Sequence, residues 1–319
     1  MSLLSQIHRG PQTRPHLIGL YGPGGVGKTT FAASAPKPVF LGTDDGAGTL
    51  DVASFPTPER WVDVMSAIRD LTFEKHDFES LVIDTVNGLE PLLWAHICKE
   101  SNCASIEEVD GGFGKGYVRA MEHWVEFWKA IKTLRKTMHV IGLGHAETKT
   151  IEHVEEGERF DRYVLKMHQR SAALFHESVD CMFFANFKTF FRKAKGATKA
   201  RATSTGERRV YTEERPAFLA KSRFDLPFEM PLSWADFAAA AAKQVTTASA
   251  DELLVLLKGR EDLAARYFIS LGWIPEGAKA ADLPAAKRKA VKNRAEEFLA
   301  ALKEFEAKEK EETTNDEPA

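Results

Sequence analysis

The sequence predicts an α/β fold: a central, mainly parallel sheet flanked by helices, followed by a small helical module. Three observations carry this expectation. The apolar run His16-Leu17-Ile18-Gly19-Leu20-Tyr21 leads directly into Gly22-Pro23-Gly24-Gly25-Val26-Gly27-Lys28-Thr29, and the helix-compatible run Thr30-Phe31-Ala32-Ala33 follows. Two further apolar runs end in acids: Val39-Phe40-Leu41 before Gly42-Thr43-Asp44-Asp45-Gly46, and Ser80-Leu81-Val82-Ile83 before Asp84-Thr85. Helical patterns separate the runs, and strands alternating with helices in a short span build a parallel sheet.

The first strand, loop and helix form a phosphate-binding loop. Its glycines let successive backbone N–H groups converge on phosphate oxygens, Lys28 neutralises the outer phosphates, and the Thr29 hydroxyl is placed to ligate Mg²⁺. A nucleoside triphosphate is the expected ligand, with Gly22, Pro23, Gly24, Gly25, Val26, Gly27, Lys28, Thr29 and Thr30 as its binding residues. After a break at Pro36 and Pro38 comes the second strand, then a helical stretch around Pro58–Leu71, then the strand ending at Asp84. That acid follows an apolar strand as in a Walker B element, so Thr29 and Asp84 are the expected metal ligands.

Leu89–Lys99 reads as a helix, and the segment around Gly111-Gly112-Phe113-Gly114-Lys115-Gly116-Tyr117 reads as a mobile loop, since its glycines do not suit a regular element. From Arg119 to Arg135, Met121, Trp124, Val125, Trp128, Ile131 and Leu134 share one helical face. Met138–Gly144 returns as a strand. Polar residues 145–162 read as a second loop, Leu165–His176 as a helix and Val179–Asn186 as a strand. Between Lys188 and Arg209, Lys188, Arg192, Lys193, Lys195, Lys199, Arg201, Arg208 and Arg209 face the single acid Glu207, which reads as a flexible basic hairpin or insert. Ala217–Pro227 and a helix near Trp234–Lys243 close the core, residues 245–250 read as a linker, and Asp251–Leu271 and Ala285–Lys310 read as helices. The expected domains are an extension over 1–13, an ATPase core over 14–243, a helical module over 244–310 and an acidic disordered tail over 311–319.

The composition is that of a globular protein: 319 residues, 44% hydrophobic and 28% charged. No stretch approaches the roughly 18 apolar residues that span a bilayer, and no leader-length apolar core opens the chain, so a cytoplasmic protein without a membrane partner is expected. Cys98, Cys103 and Cys181 have no metal-ligand spacing and read as reduced structural residues. A net charge of −3 confines any nucleic-acid contact to local patches.

Taken together, GPGGVGKT, LGTDDG, LVIDT, GFGKGY, HVIGLGH and AKSRF resemble the phage-encoded RecA-like ATPases of the Sak-type annealing and recombination group, over about residues 14–243. The resemblance implies a RecA-like P-loop core that hydrolyses ATP, oligomerises as a ring or filament and binds single-stranded DNA in recombination or annealing. A single-strand-binding or other recombination protein is an implied further partner, and a bacterial host cytoplasm the implied location. By position, it implies DNA-lining loops at 101–117 and 146–164, with Lys115, Tyr117 and Arg119 as contacts. The basic stretch adds Arg192, Lys193, Lys195, Lys199 and Arg201. The resembled ATPases carry a catalytic glutamate where Asp44 and Asp45 end the second strand, so one of these aspartates would orient the attacking water. Thr85 and His145, at the strand tops, would sense the γ-phosphate, while Lys221 and Arg223 would reach a neighbouring subunit's nucleotide. Two rival readings share the loop: a P-loop kinase of a small acceptor, with Lys221 and Arg223 as lid residues, and a non-catalytic nucleotide-binding scaffold.

Overall fold

The computed structural model describes residues 7, 14–43, 50–152, 156–192, 201–284, 287–288, 290–291 and 295–315. Residues Arg14–Ala240 form one compact unit, and Ala241–Ala319 belong to a second.

In the first unit, the described strands are β1 (Leu17–Gly22), β2 (Pro38–Gly42), β3 (Ala53–Ser54), β4 (Ser80–Asp84), β5 (His139–Glu152), β6 (Arg159–Leu165), β7 (Cys181–Arg192), β8 (Arg201–Tyr211), β9 (Lys221–Ser222) and β10 (Glu229–Pro231). They order as β10-β8-β7-β1-β5-β4-β2-β3, with β6 on β5 and β9 on β7. The run from β7 to β3 is parallel, whereas β8, β9 and β10 add antiparallel strands at the other side. The fold is therefore α/β with a mostly parallel central sheet.

Every residue of β1 and of β4 is buried, as expected of strands covered on both faces. One face carries α2 (Trp61–Phe73), α3 (Leu89–Ser101), α4 (Lys115–Leu134) and α5 (Gln169–Ser178). There Tyr21, Val39, Leu41, Leu81 and Ile83 pack in one cluster with Trp61, Trp124 and Phe127, and Trp61 meets Trp124 edge-on at 5.5 Å. The opposite face receives α1 (Lys28–Ala33) and the start of α6 (Trp234–Leu257), joined by Phe31 against Trp234 and Phe183 against Phe237.

At the amino-terminal edge of the sheet, buried Asp180 accepts hydrogen bonds from Arg135, from Arg223 at 3.2 Å and from the Leu17 amide at 3.4 Å, and Arg14 lies 3.7 Å away. Nearby, the His16 ring packs on His139, Phe224 and Phe237. Burial, with His139 and Arg135 beside it, lowers the His16 pKa from 6.5 to about 4. Between those values the unfolded chain binds more protons than the folded one. His16 therefore contributes stability that is fully present above about pH 6.5 and is lost as pH falls towards about 4. Thermal unfolding is expected to show a loss of about 2 kcal/mol from this source on acidification across that window. His16→Leu should flatten that part of the profile.

Two segments depart from the sequence expectation, and a third takes one of its two alternatives. Residues 146–152 are no loop: they continue β5 and pair with β6, from Ala146↔Leu165 to Glu152↔Arg159. One face of the ribbon is exposed and the other only half-buried, so its polarity resembles that of a loop; the alternation of Phe160, Arg162 and Val164 with exposed Arg159, Asp161 and Tyr163 was the available signal. The basic stretch is a hairpin, one of the two alternatives expected, because antiparallel β7 and β8 pair as far as Arg192↔Arg201. And α6 runs unbroken to Leu257 through the expected linker at 245–250, consistent with the helix preference of its alanines.

The second unit has its own core, in which Leu257, Leu263, Phe268, Leu283, Phe298 and Leu302 are buried together. Besides the end of α6 it contains α7 (Glu261–Ser270) and α8 (Ala295–Asn315), with Arg266 bonded to Glu309. Helix α8 extends into the acidic segment read as a disordered tail. Among the described residues, no helix is long and apolar enough to cross a membrane.

Candidate functional site

The loop between β1 and α1 is shaped by its glycines. Gly25 and Gly27 have φ of 75° and 102°, a left-handed region costly for residues with a Cβ. Gly22 serves close approach instead, since a Cβ there would lie 2.2 Å from the Ala185 carbonyl oxygen on β7. Val26 is fully buried and fixes the loop to the core, while Gly24, Gly25 and Thr30 are exposed. The Phe31 amide donates to the Gly27 carbonyl at 3.0 Å, opening the helix immediately after the loop.

Lys28 is buried at 6% exposure, and its Nζ donates to the carbonyls of Gly22 at 3.1 Å and Pro23 at 3.0 Å. Thr29 Oγ1 donates to Asp84 Oδ2 at 2.8 Å. Register explains the meeting: β5 joins β1 and β4 in parallel, with Gly22 beside His145 and Asp84 beside Leu143, so both strands end at the same edge. A hydroxyl and a carboxylate are hard oxygen donors, the set that suits Mg²⁺, and here they already converge.

A polar chain crosses the strand tops. The Thr43 amide donates to the Asp84 carbonyl at 2.8 Å, and the Thr85 amide donates to Thr43 Oγ1 at 3.0 Å. The His145 amide donates to Asn87 Oδ1 at 2.9 Å. Thr85 and His145 are thus tied to the turn that follows Asp84. Asp44 and Asp45 lie outside the described residues.

Lys221 and Arg223 fall elsewhere. Strand β9 pairs Lys221 with Met182 and Ser222 with Cys181, and Cys181 lies beside Ile18 at the start of β1. Both cations therefore sit at the amino-terminal edge, away from their own chain's loop, with Arg223 bonded to Asp180.

Of the three residues carried over as DNA contacts, Lys115 and Tyr117 lie not in a loop but, with Arg119, in α4, which begins at Lys115. Tyr117 stacks on His168 at 4.4 Å and meets Trp94 edge-on; Arg119 bonds to Ser101 and Glu100. Both side chains are engaged within the chain, whereas Lys115 is exposed and donates to the Asp110 carbonyl. Phe113, absent from the sequence-based candidates, is 101% exposed with φ of 56°. Its signal was an aromatic ring between two glycines, where nothing adjacent can cover it. Lys193, Lys195 and Lys199 lie outside the described residues; Arg192 and Arg201 pair by backbone at the ends of β7 and β8.

Comparison with known proteins fits this geometry. A family model described as an AAA domain matches residues 14–224. One curated relative, the "SPbeta prophage-derived uncharacterized protein YorG" of Bacillus subtilis (strain 168), is 24% identical over 119 residues. That match covers 36% of this chain and 37% of the relative.

Proposed function

This chain belongs to the AAA domain family, a nucleotide-binding ATPase domain, and from that premise we propose that it hydrolyses ATP while acting on single-stranded DNA in phage-type recombination or annealing. The observation that carries the ATPase reading is the 2.8 Å contact of Thr29 with Asp84 beside the Lys28 ammonium. Thr29 and Asp84 would hold Mg²⁺, which when bound offsets phosphate charge. Lys28 and the loop amides bind and orient the phosphate chain. Asp44 or Asp45, following β2 in the sequence, orients a water. Its oxygen bonds to the terminal phosphorus as the bond to the bridging oxygen breaks, and ADP, inorganic phosphate and a proton leave. Thr85 and His145 report the nucleotide state through the Thr43 and Asn87 bonds.

Fully exposed Phe113, with Lys115 close by, supports the DNA reading, because a ring can stack on any base while a cation meets phosphate. The prophage origin printed for the relative supports a phage setting in a host cytoplasm. Lys221 and Arg223, remote from their own loop, suit a trans role in a ring or filament better than a kinase lid.

Phosphate release measured with and without single-stranded DNA tests this. DNA is expected to raise turnover, and Phe113→Ala with Lys115→Ala to cut DNA affinity about 10- to 100-fold without reducing basal hydrolysis. Turnover indifferent to DNA would remove the DNA half of the reading, and phosphate transfer to a metabolite would replace it with a kinase.

A further inference from the structure

We infer that Arg208, on β8, is a second cation of the nucleotide site, reaching from within the same chain to the phosphate chain held by the Gly22–Thr29 loop. This rests on the ATPase reading above and adds a residue to it.

Strand register brings Arg208 there. The β1–β7 pairing ends at Tyr21↔Phe184, and Arg208 pairs with Phe187. Three further residues carry β7 about 10 Å past that point, and antiparallel β8 returns alongside it. Side chains alternate along a strand, so Arg208 continues the row of Val210 and Thr212, which are 1% and 0% exposed. Where that row passes the edge of the sheet, it meets the phosphate-binding loop. A Cβ built on Gly27 would lie 2.8 Å from Arg208 Nη1 and 3.5 Å from its Cδ. The missing side chain at Gly27 is therefore the space that the guanidinium occupies.

Charge points the same way. Arg209, on the other face of β8, is bonded to Glu207 and lies 3.3 Å from Glu229. Arg208 is exposed, and among the described residues no carboxylate pairs with it. It rests against a loop of backbone amides whose next residue is Lys28. Two cations at a nest of N–H donors are complementary to a polyanion, and a guanidinium can clamp two phosphate oxygens at once. The sequence showed Arg208 only as one charge among eight; the register singles it out.

The test is calorimetric titration of MgATP and phosphate release, in the full chain and in Arg208→Ala, Arg208→Lys, Lys28→Ala and Arg159→Ala. Arg159 is an exposed arginine on β6 and controls for net charge. Arg208→Ala is expected to weaken ATP binding about 10-fold and turnover about 100-fold, with an unchanged melting curve. Arg208→Lys should recover part of the affinity and Arg159→Ala should match the native chain. If Arg208→Ala binds and turns over ATP normally while Lys28→Ala does not, Arg208 has no part in the site and the ATPase reading stands. If Arg208→Ala loses only affinity for single-stranded DNA, its partner is the nucleic-acid backbone and the inference is overturned. Native ATP binding by Lys28→Ala would instead remove the ATPase reading itself.

Discussion

Lys28→Ala is expected to lower ATP turnover by about 10²- to 10³-fold and to abolish measurable nucleotide binding. The ammonium is buried and held by two carbonyls of its own loop, so it stands ready without a conformational search. Removing it deletes the one side-chain cation inside the loop and leaves two carbonyls without that donor, at a cost of about 1–3 kcal/mol in stability. The two effects separate in measurement: phosphate release should fall by orders of magnitude, whereas the melting temperature should fall only by a few degrees. A variant that unfolds outright would mean that Lys28 acts mainly as a brace for the loop. A folded variant with native turnover would mean that the loop is not the site.

The second large effect is on stability. Asp180 is 2% exposed and gathers Arg135, Arg223, Arg14 and the Leu17 amide. Arg135 is itself buried, and burial, with Arg14 and Arg223 close by, pulls its pKa down to about 10. Asp180→Ala would strand that guanidinium without a counter-charge, for an expected loss of about 3–5 kcal/mol. For a unit of this size that lowers the melting temperature by roughly 10 °C. Asp180→Asn keeps an acceptor and should lose less. Since Asp180 ties the start of β1 to the end of α4 and to Arg223 beside β9, its loss should also slacken the strand that presents the loop. Equal melting of Asp180→Ala and the native chain would show that the hydrophobic layers alone hold this edge.

The parts of the candidate site made by local chemistry were legible in the sequence. Gly22–Thr29 and Asp84 could be read because each residue's role depends on its type and its place after a buried strand. The strands β1, β2 and β4 were legible for the same reason, being continuous apolar runs between turns. What escaped depended on pairing. The β5–β6 ribbon looks like a loop because one of its faces meets water and the other is only half-buried. Helix α4 starts earlier than its apolar stripe suggests, since Gly114 at φ 76° and Lys115 open it before Met121 and Trp124 begin the buried face. Tyr117 reads as a base-stacking ring until His168, far away in sequence, is found lying on it. Arg208 is the plainest case: only the alignment of β8 with β7, and of β7 with β1, brings it to Gly27.

The two ends of the sheet have a consequence for how copies of this chain could join. One border is β3, two residues long, and the other is β10, three residues ending in Pro231, which has no amide hydrogen to donate. These two borders offer little rail of free amides and carbonyls onto which another chain could zip, whereas β6, paired on β5 alone among the described strands, and the part of β8 beyond β10 keep open edges. Copies that pair backbone to backbone would therefore do so through these ribbons, and copies that meet only through side chains and loops should come apart on dilution or added salt with each protomer still folded.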